Sequence, residues 1–117
     1  MIIEKGVLKK VEDSEIVNRT VVIPKKVTEI GEGAFFECNN LKKIEIPEKV
    51  TKIGKNAFAS CRSLTEIKVS EENPNYKSID GVLYNKDGTE LLFCPPLKEK
   101  LLISNDVMYV EWNNIYI

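Results

Sequence analysis

The chain has 117 residues, of which 43% are hydrophobic and 30% are charged, a composition that supports one modest hydrophobic core. Its 17 basic and 18 acidic residues leave a formal net charge of -1, which disfavours nucleic acid and anionic membrane surfaces as partners. The apolar runs are too short to cross a bilayer and the first residues lack the apolar centre of a secretion signal, so we expect no membrane insertion and no visible targeting.

Residues 1–20 predict a hairpin at the amino-terminal end. The triplet Gly6-Val7-Leu8 reappears as Gly81-Val82-Leu83, in a later segment that has the pattern of a hairpin. We therefore expect residues 1–20 to cover the end of the repeats that follow, because the end of a repeat array needs a cap.

Residues 21–69 contain one sequence unit twice. The pattern I-P-x-x-V-T-x-I-G-x-x-A-F-x-x-C-x-x-L-x-x-I-x-I/V begins at Ile23 and again at Ile46, so matched positions lie 23 residues apart. The apolar positions are preserved while the charged residues between them change. A fixed period of this size indicates a solenoid, in which each unit buries its apolar face against the next.

Each unit predicts two short strands joined by a turn. The L-x-x-I-x-I part alternates apolar and charged residues, as in a strand with one buried face, and V-T-x-I predicts a second row of strands. Between them, G-x-x-A-F predicts a chain reversal and a compact turn, with one helical turn as an option. We expect this turn to place Phe35 and Phe58 in the core as equivalents.

Residues 70–96 predict a β-meander. Three strand-like runs are separated by turns at Asp80-Gly81 and at Lys86–Thr89. We expect the aromatic side chains of this segment to pack its core rather than to bind a ligand. These side chains are Tyr76, Tyr84 and Phe93.

Residues 97–117 predict a degenerate third unit. Its apolar residues keep the spacing of the earlier units, but the unit stops at Ile117, before the position of its cysteine. The matching residues are Leu101, Ile103, Val107, Val110 and Ile115.

The repeated unit and the insertion G-V-L-Y-x-K-D-G-T-x-L-L-x-x-P at residues 81–95 resemble the BspA-like leucine-rich-repeat family of bacteria. The resemblance covers most of residues 21–110. It implies one domain over residues 1–117 with a β-rich α/β solenoid fold, a short right-handed leucine-rich-repeat coil with inserted β-hairpins. It also implies frequent surface or secreted location, with a cytoplasmic location left open, and roles in adhesion or protein binding. The family supplies no catalytic residues.

Catalytic chemistry is disfavoured because the chain contains no histidine, the commonest general base and zinc ligand. Gly31-Glu32-Gly33 lacks the third glycine of a phosphate loop and predicts a repeat turn instead. The acidic residues Asp80, Asp87 and Glu90 lack the spacing of a calcium loop and suit turns. We expect no enzyme activity, no cofactor and no metal.

Two of the three cysteines occupy the same repeat position. Stacking would place Cys38 and Cys61 on adjacent coils about 5 Å apart. We expect a buried ladder of reduced thiols, because free cysteine is among the most buried residue types and the odd count does not suit a disulfide framework. A disulfide or a soft-metal pair is the alternative.

The outward positions of the predicted concave sheet form one candidate surface for a protein partner. Lys43 would align with Glu66, and Glu45 with Lys68, so a cross-strand ion-pair ladder explains these charges without a ligand. A binding face is the alternative, because solenoids bind through extended concave surfaces. The residues that flank the ladder are Thr20, Val22, Lys100 and Leu102.

The carboxyl-terminal segment is apolar and aromatic, with Trp112 and Tyr116 as candidate anchors, because such side chains dominate interface energies. It either folds back as a lid or contacts another molecule, most simply a second copy of the chain. Two functions therefore remain open: a non-catalytic protein-binding or adhesion-type module, and a structural unit that self-associates or belongs to a longer repeat array. The identity of a protein partner is not indicated.

Overall fold

A computed structural model describes residues 1–97, residue 107 and the backbone of residues 109 and 110. These residues form short strands and one 3-10 turn, Asp13–Glu15. In chain order the strands are β1 (Ile2–Glu4), β2 (Val7–Lys10), β3 (Thr20–Val22), β4 (Glu29–Ile30), β5 (Lys43–Ile46), β6 (Lys52–Ile53), β7 (Glu66–Val69), β8 (Tyr76–Ile79), β9 (Val82–Asn85), β10 (Glu90–Phe93) and β11 (Tyr109–Val110).

Three sheets contain these strands. Sheet A has the order β1-β2-β4-β6, sheet B the order β3-β5-β7, and sheet C the order β11-β10-β9-β8. No α-helix occurs in this part of the chain. Nor do the described residues contain any helix long and apolar enough to span a bilayer.

Sheets A and B carry the two predicted rows of strands. In sheet A, Ile30 pairs with Ile53 in parallel, and in sheet B, Ile44 pairs with Ile67. Both pairs are 23 residues apart, so the register of the strands follows the sequence period. The prediction of a β-rich repeat structure with parallel strands is confirmed.

The core between the two sheets is built from repeated apolar positions. Phe35 and Phe58 are buried equivalents, as predicted, and their ring centroids lie 5.7 Å apart. Phe93 of the meander adds a third ring, 5.2 Å from Phe58. An aromatic ladder therefore runs from the repeats into the meander.

The glycine of the second unit marks a close approach between the two repeat units. A Cβ on Gly54 would lie 2.6 Å from the backbone nitrogen of Glu32 and 2.8 Å from the carbonyl carbon of Gly31. Real Cβ contacts are longer than this, so only glycine allows the two backbones to meet here. The close approach brings the Gly54 N–H to 2.6 Å from the Ile30 oxygen.

The turn between the rows is not helical, and the helical part of the predicted α/β class is wrong for the described residues. Residues 32–37 and 55–60 form successive turns. Glu37 has φ 59°, a left-handed conformation that breaks a helix. The Phe35 N–H donates to the Ala57 oxygen of the next unit at 2.8 Å, so it does not form a bond inside its own turn.

The amino-terminal hairpin continues into the repeat pattern. β1 and β2 are antiparallel and joined by Lys5-Gly6, whose positive φ values of 50° and 80° suit a two-residue hairpin turn. β2 then pairs in parallel with β4, and β3 pairs with β5. Residues 7–22 thus occupy strand positions of a further unit, although the sequence predicted only a hairpin there.

The meander consists of the antiparallel strands β8, β9 and β10, with a tight turn at Asp80-Gly81. β10 also pairs in parallel with β11, through Glu90 with Tyr109 and Leu91 with Val110. Val107 of the predicted third unit packs against the buried side chains of the meander. Leu101, Ile103 and Ile115 of that unit lie outside the described residues. The predicted boundaries at residues 20, 69 and 96 stay predictions.

Candidate functional site

The outward side chains of sheet B form two rows across its three strands. Pairing of β3, β5 and β7 aligns residues that are 23 positions apart, because all three strands are parallel and in register. The first row is Thr20, Lys43 and Glu66, and the second row is Val22, Glu45 and Lys68. We call this surface the sheet B face. The alignment predicted from the sequence is confirmed, whereas a binding role stays a prediction.

The charged residues of the sheet B face do not pair directly. Among the described residues, one ion pair is present, between the amino terminus of Met1 and Glu15. The expected ion-pair ladder is therefore wrong as a set of direct contacts. Exposed pairs gain little, because ordering two long side chains offsets their weak attraction in water.

The core and the meander hold the sheet B face in place. Ile44 and Ile67 point to the opposite side of their strands and are fully buried. At the outer edge of β7, the Ile67 N–H donates to the Gly81 oxygen, at 2.9 Å. The two flanking candidates from the carboxyl-terminal segment, Lys100 and Leu102, lie outside the described residues.

A shallow groove of about 180 Å³ lies at the carboxyl-terminal ends of the sheet B strands. We call it the strand-end groove. Its lining residues are Val22, Ile23, Lys25, Glu45, Ile46, Pro47, Lys68 and Ser70. The sequence singled out Val22, Glu45 and Lys68 among them as candidate binding residues, but not the other five. The position after each strand was the available signal, because Pro24, Pro47 and Ser70 lie 23 positions apart.

A larger cavity of about 470 Å³ lies between the turn of the second unit and the meander. Its residues are Ile53, Gly54, Lys55, Asn56, Ala57, Phe58, Tyr76, Leu83, Asn85, Glu90, Leu92 and Phe93. Tyr84 and Phe93 are buried, as their predicted packing role requires. The predicted anchors Trp112 and Tyr116 lie outside the described residues.

Tyr76 has a structural contact that the sequence did not indicate. Its hydroxyl oxygen accepts a hydrogen bond from the Ile53 N–H at 3.0 Å. This N–H belongs to β6, the last strand of sheet A. Tyr76 therefore supplies a hydrogen-bond acceptor to the outermost strand of sheet A.

Asn73 is the buried polar residue that sequence reasoning missed. It lies 23 positions after Val50, and both side chains are fully buried. The Asn73 side-chain nitrogen donates to the oxygens of Pro47, at 3.0 Å, and Val50, at 2.8 Å. Its side-chain oxygen accepts from the N–H groups of Asn75 and Tyr76. The amide thus uses all of its hydrogen-bonding capacity.

The two repeat-position cysteines are buried, as predicted. The Cys38 thiol donates to the Val11 oxygen at 3.4 Å, and the Cys61 thiol to the Phe35 oxygen at 3.0 Å. Burial raises the pKa of Cys38 to about 11 and that of Cys61 to about 12. Both are therefore protonated at neutral pH and poor nucleophiles.

The part of the chain that the structure describes holds no group of three or more histidine, cysteine, aspartate or glutamate side chains arranged for a metal ion. The acidic turn residues Asp80, Asp87 and Glu90 are therefore not assembled into a site by the described residues. The described residues offer three surface features for further consideration: the sheet B face, the strand-end groove and the larger cavity beside the meander.

Comparisons with known proteins identify the repeat. Residues 14–92 match the family described as the BspA type leucine-rich repeat region (6 copies). The comparison with curated proteins found no match.

Solved structures of bacterial proteins share the fold. A leucine-rich repeat protein of Eubacterium ventriosum is 34% identical with a TM-score of 0.71, over 78% of this chain and 25% of that chain. A leucine-rich cell surface protein of Faecalibacterium prausnitzii is 33% identical with a TM-score of 0.54, over 75% of this chain and 30% of that chain. The pneumococcal vaccine antigen PcpA, 24% identical with a TM-score of 0.63 over 78% of this chain and 29% of that one, shows a likeness of fold.

The chain thus spans between 25% and 30% of the length of these three structures. The family match covers well over half of the 117 residues, and it includes both full repeat units and most of the meander. The chain belongs to the BspA-type leucine-rich repeat family and is similar to bacterial cell-surface leucine-rich repeat proteins.

Proposed function

We propose that this chain is a non-catalytic protein-binding module of the adhesion type, and that the sheet B face is its binding surface. The observation that carries the proposal is the two-row arrangement of this face. A backbone ladder holds six outward side chains in register, and no ion pair among the described residues consumes its four charges. Repeat proteins commonly bind through such extended surfaces.

Chemical features support binding over catalysis. The sequence has no histidine, and the two repeat-position thiols are buried with raised pKa values. The family is one of repeats that typically lack catalytic activity. The contribution of this chain is therefore a surface of fixed geometry.

The proposal extends to the context of the chain. Its coils form a right-handed solenoid segment of a longer repeat protein, displayed on the cell surface or secreted. The support is the 23-residue parallel register, together with matches that each reach 25% to 30% of a longer bacterial chain. The similarity to a cell surface protein of Faecalibacterium prausnitzii supports the location.

A charge swap tests the binding surface. Binders are selected on the wild-type protein from a displayed library of protein fragments, and their affinities are measured by surface plasmon resonance. We expect the double variant Lys43→Glu, Glu66→Lys to bind roughly tenfold more weakly, because it keeps the net charge and reverses the pattern that a partner meets.

The matched control is Glu29→Lys with Lys52→Glu, a swap between residues that pair across the strands of sheet A. It should leave the affinity unchanged. Binders that ignore the swap on sheet B, or that respond equally to the swap on sheet A, would refute the proposed surface. Circular dichroism and thermal unfolding of both variants confirm that they are folded.

A further inference from the structure

We infer that the strand-end groove receives one large apolar side chain of an extended partner segment, and that an acidic residue beside this side chain pairs with the lysines of the groove. This inference rests on the proposed function, because the groove shares Val22, Glu45 and Lys68 with the sheet B face. It adds the chemistry of the partner, which the face alone does not specify.

The size of the groove selects a side chain over a small molecule. Pockets for drug-sized ligands enclose roughly 300–1,000 Å³. The strand-end groove measures about 180 Å³. This volume corresponds to roughly six water molecules and suits one leucine or phenylalanine side chain.

The lining of the groove favours an apolar occupant. Val22 is 63% exposed, although valine is usually buried. Ile46 forms a buried floor beside it, and Pro47 adds a ring without an N–H donor. A partner side chain that covers Val22 removes apolar surface from water. It does not bury an unpaired N–H group at Pro47, because proline has none.

The charges at the rim favour an acidic neighbour. Lys25 and Lys68 are exposed on the groove, and Glu45 is the acidic residue among its lining side chains. The rim therefore carries a net charge of +1 (two lysines and one glutamate). Glu45 repels the partner's carboxylate from its own side of the groove. The acidic residue of the partner therefore lies beside the two lysines.

Peptide selection tests the inference. Random eight-residue peptides displayed on phage are selected on the immobilised full chain, and consensus peptides are synthesised with a fluorescent label for anisotropy measurements. We expect enrichment of a large apolar residue directly beside aspartate or glutamate. Enrichment of apolar residues beside lysine or arginine, or no enrichment, would overturn the inference.

Variants locate the bound peptide. Val22→Glu should weaken binding roughly tenfold, and Val22→Thr, which keeps the β-branched shape, should weaken it roughly threefold. Lys25→Glu with Lys68→Glu should weaken binding and reverse its salt dependence, because salt then screens a repulsion instead of an attraction. The control Lys9→Glu with Lys52→Glu makes the same charge change on sheet A and should have no effect.

The outcomes separate the groove from the whole face. Loss of peptide binding in the sheet B charge swap, but not in Val22→Glu and Val22→Thr, would reject the groove and retain the face. Peptide binding that survives all of these variants would reject the groove. If the binders selected from the fragment library are also unaffected by the sheet B charge swap, the face is rejected as well.

Discussion

The repeat units and the meander close the same kind of sheet edge by different means. Between repeat units, backbone groups pair with each other, as where the Thr51 N–H donates to the Thr28 oxygen at 3.0 Å. At the junction with the meander, side chains share this role with the backbone bond from the Ile67 N–H to the Gly81 oxygen. The Tyr76 hydroxyl accepts from the Ile53 N–H, and the Ser78 hydroxyl accepts from the Val69 N–H.

The difference shows where the chain tolerates change. A backbone ladder does not depend on the identity of exposed side chains, so the charged residues differ between the two units without effect on register. The junction depends on particular polar groups, of which Asn73 is the most buried. We therefore expect substitutions at the junction to be less tolerated than substitutions at exposed positions of the coils.

The largest effect is expected at Phe58, which belongs to both regions because its ring contacts Phe35 and Phe93. Phe58→Ala should lower the free energy of unfolding by about 3–5 kcal/mol, since it removes a buried ring and leaves a cavity. Urea denaturation measures this loss. An unfolding midpoint close to that of the wild type would contradict the aromatic ladder.

Asn73→Val tests whether this position needs the hydrogen bonds of asparagine or only a buried side chain. Valine matches the apolar residue found at this position in the earlier units, but it removes the donor to the Val50 oxygen and one of the two donors to the Pro47 oxygen, which keeps its bond from the Val50 N–H. It also removes the acceptor of the Asn75 and Tyr76 N–H groups. We expect a loss of roughly 1–3 kcal/mol in chemical denaturation, the cost of unsatisfied buried polar groups. A stabilised variant would show that the position is simply another core site.

Tyr76→Phe tests the junction with the smallest change. It retains the ring and removes the oxygen that accepts from the Ile53 N–H. The free energy of unfolding should fall by about 0.5–1.5 kcal/mol. Faster amide hydrogen exchange at Ile53 should accompany this loss, and unchanged exchange would argue against the contact.

The thiols of the coils should show the smallest effect at neutral pH. Burial holds the pKa of Cys38 and Cys61 at about 11 and 12, so both should react slowly with thiol reagents, and reductant should not shift the unfolding midpoint. A Cys38–Cys61 crosslink detected by mass spectrometry in the native protein would contradict this prediction.

Alkaline pH should make the effect of the same thiols on stability measurable. Unfolded thiols ionise near pH 8.5, so the stabilisation from protonated buried thiols is complete below that pH and is lost as the pH rises toward 11 and 12. The urea midpoint should fall over this range in the wild type. The fall should be shallower in the double variant Cys38→Ala, Cys61→Ala, and an equal fall in both proteins would assign the effect to other groups.

The periodic part of the fold could be predicted because apolar spacing determines register. A shift of one residue would turn the buried side chains of β5 outward, so the repeat leaves one arrangement for Ile44 and Phe58. The same argument placed Cys38 and Cys61 in the core and aligned the residues of the sheet B face.

The polar details could not be predicted in this way. Asn73 stands where the period predicts an apolar residue, and its role depends on hydrogen bonds to carbonyl groups that only the folded chain brings together.

The turn after Gly31 has left-handed residues at Gly33, φ 63°, and at Glu37, φ 59°. Glycine favours this conformation and was an available signal, whereas glutamate does not indicate it. The sequence also predicted an ion pair between Lys43 and Glu66 that is not formed. Alignment across two strands does not ensure that two long, exposed side chains come into contact.

The pairing of β10 with β11 repeats an arrangement found at the other end of the described chain. Leu91 pairs in parallel with Val110, as Leu8 pairs in parallel with Ile30. A hairpin strand therefore offers a following strand the same docking edge in both places. One strand of a hairpin can thus begin or extend a parallel sheet, because its outward N–H and C=O groups are already aligned for a neighbouring strand.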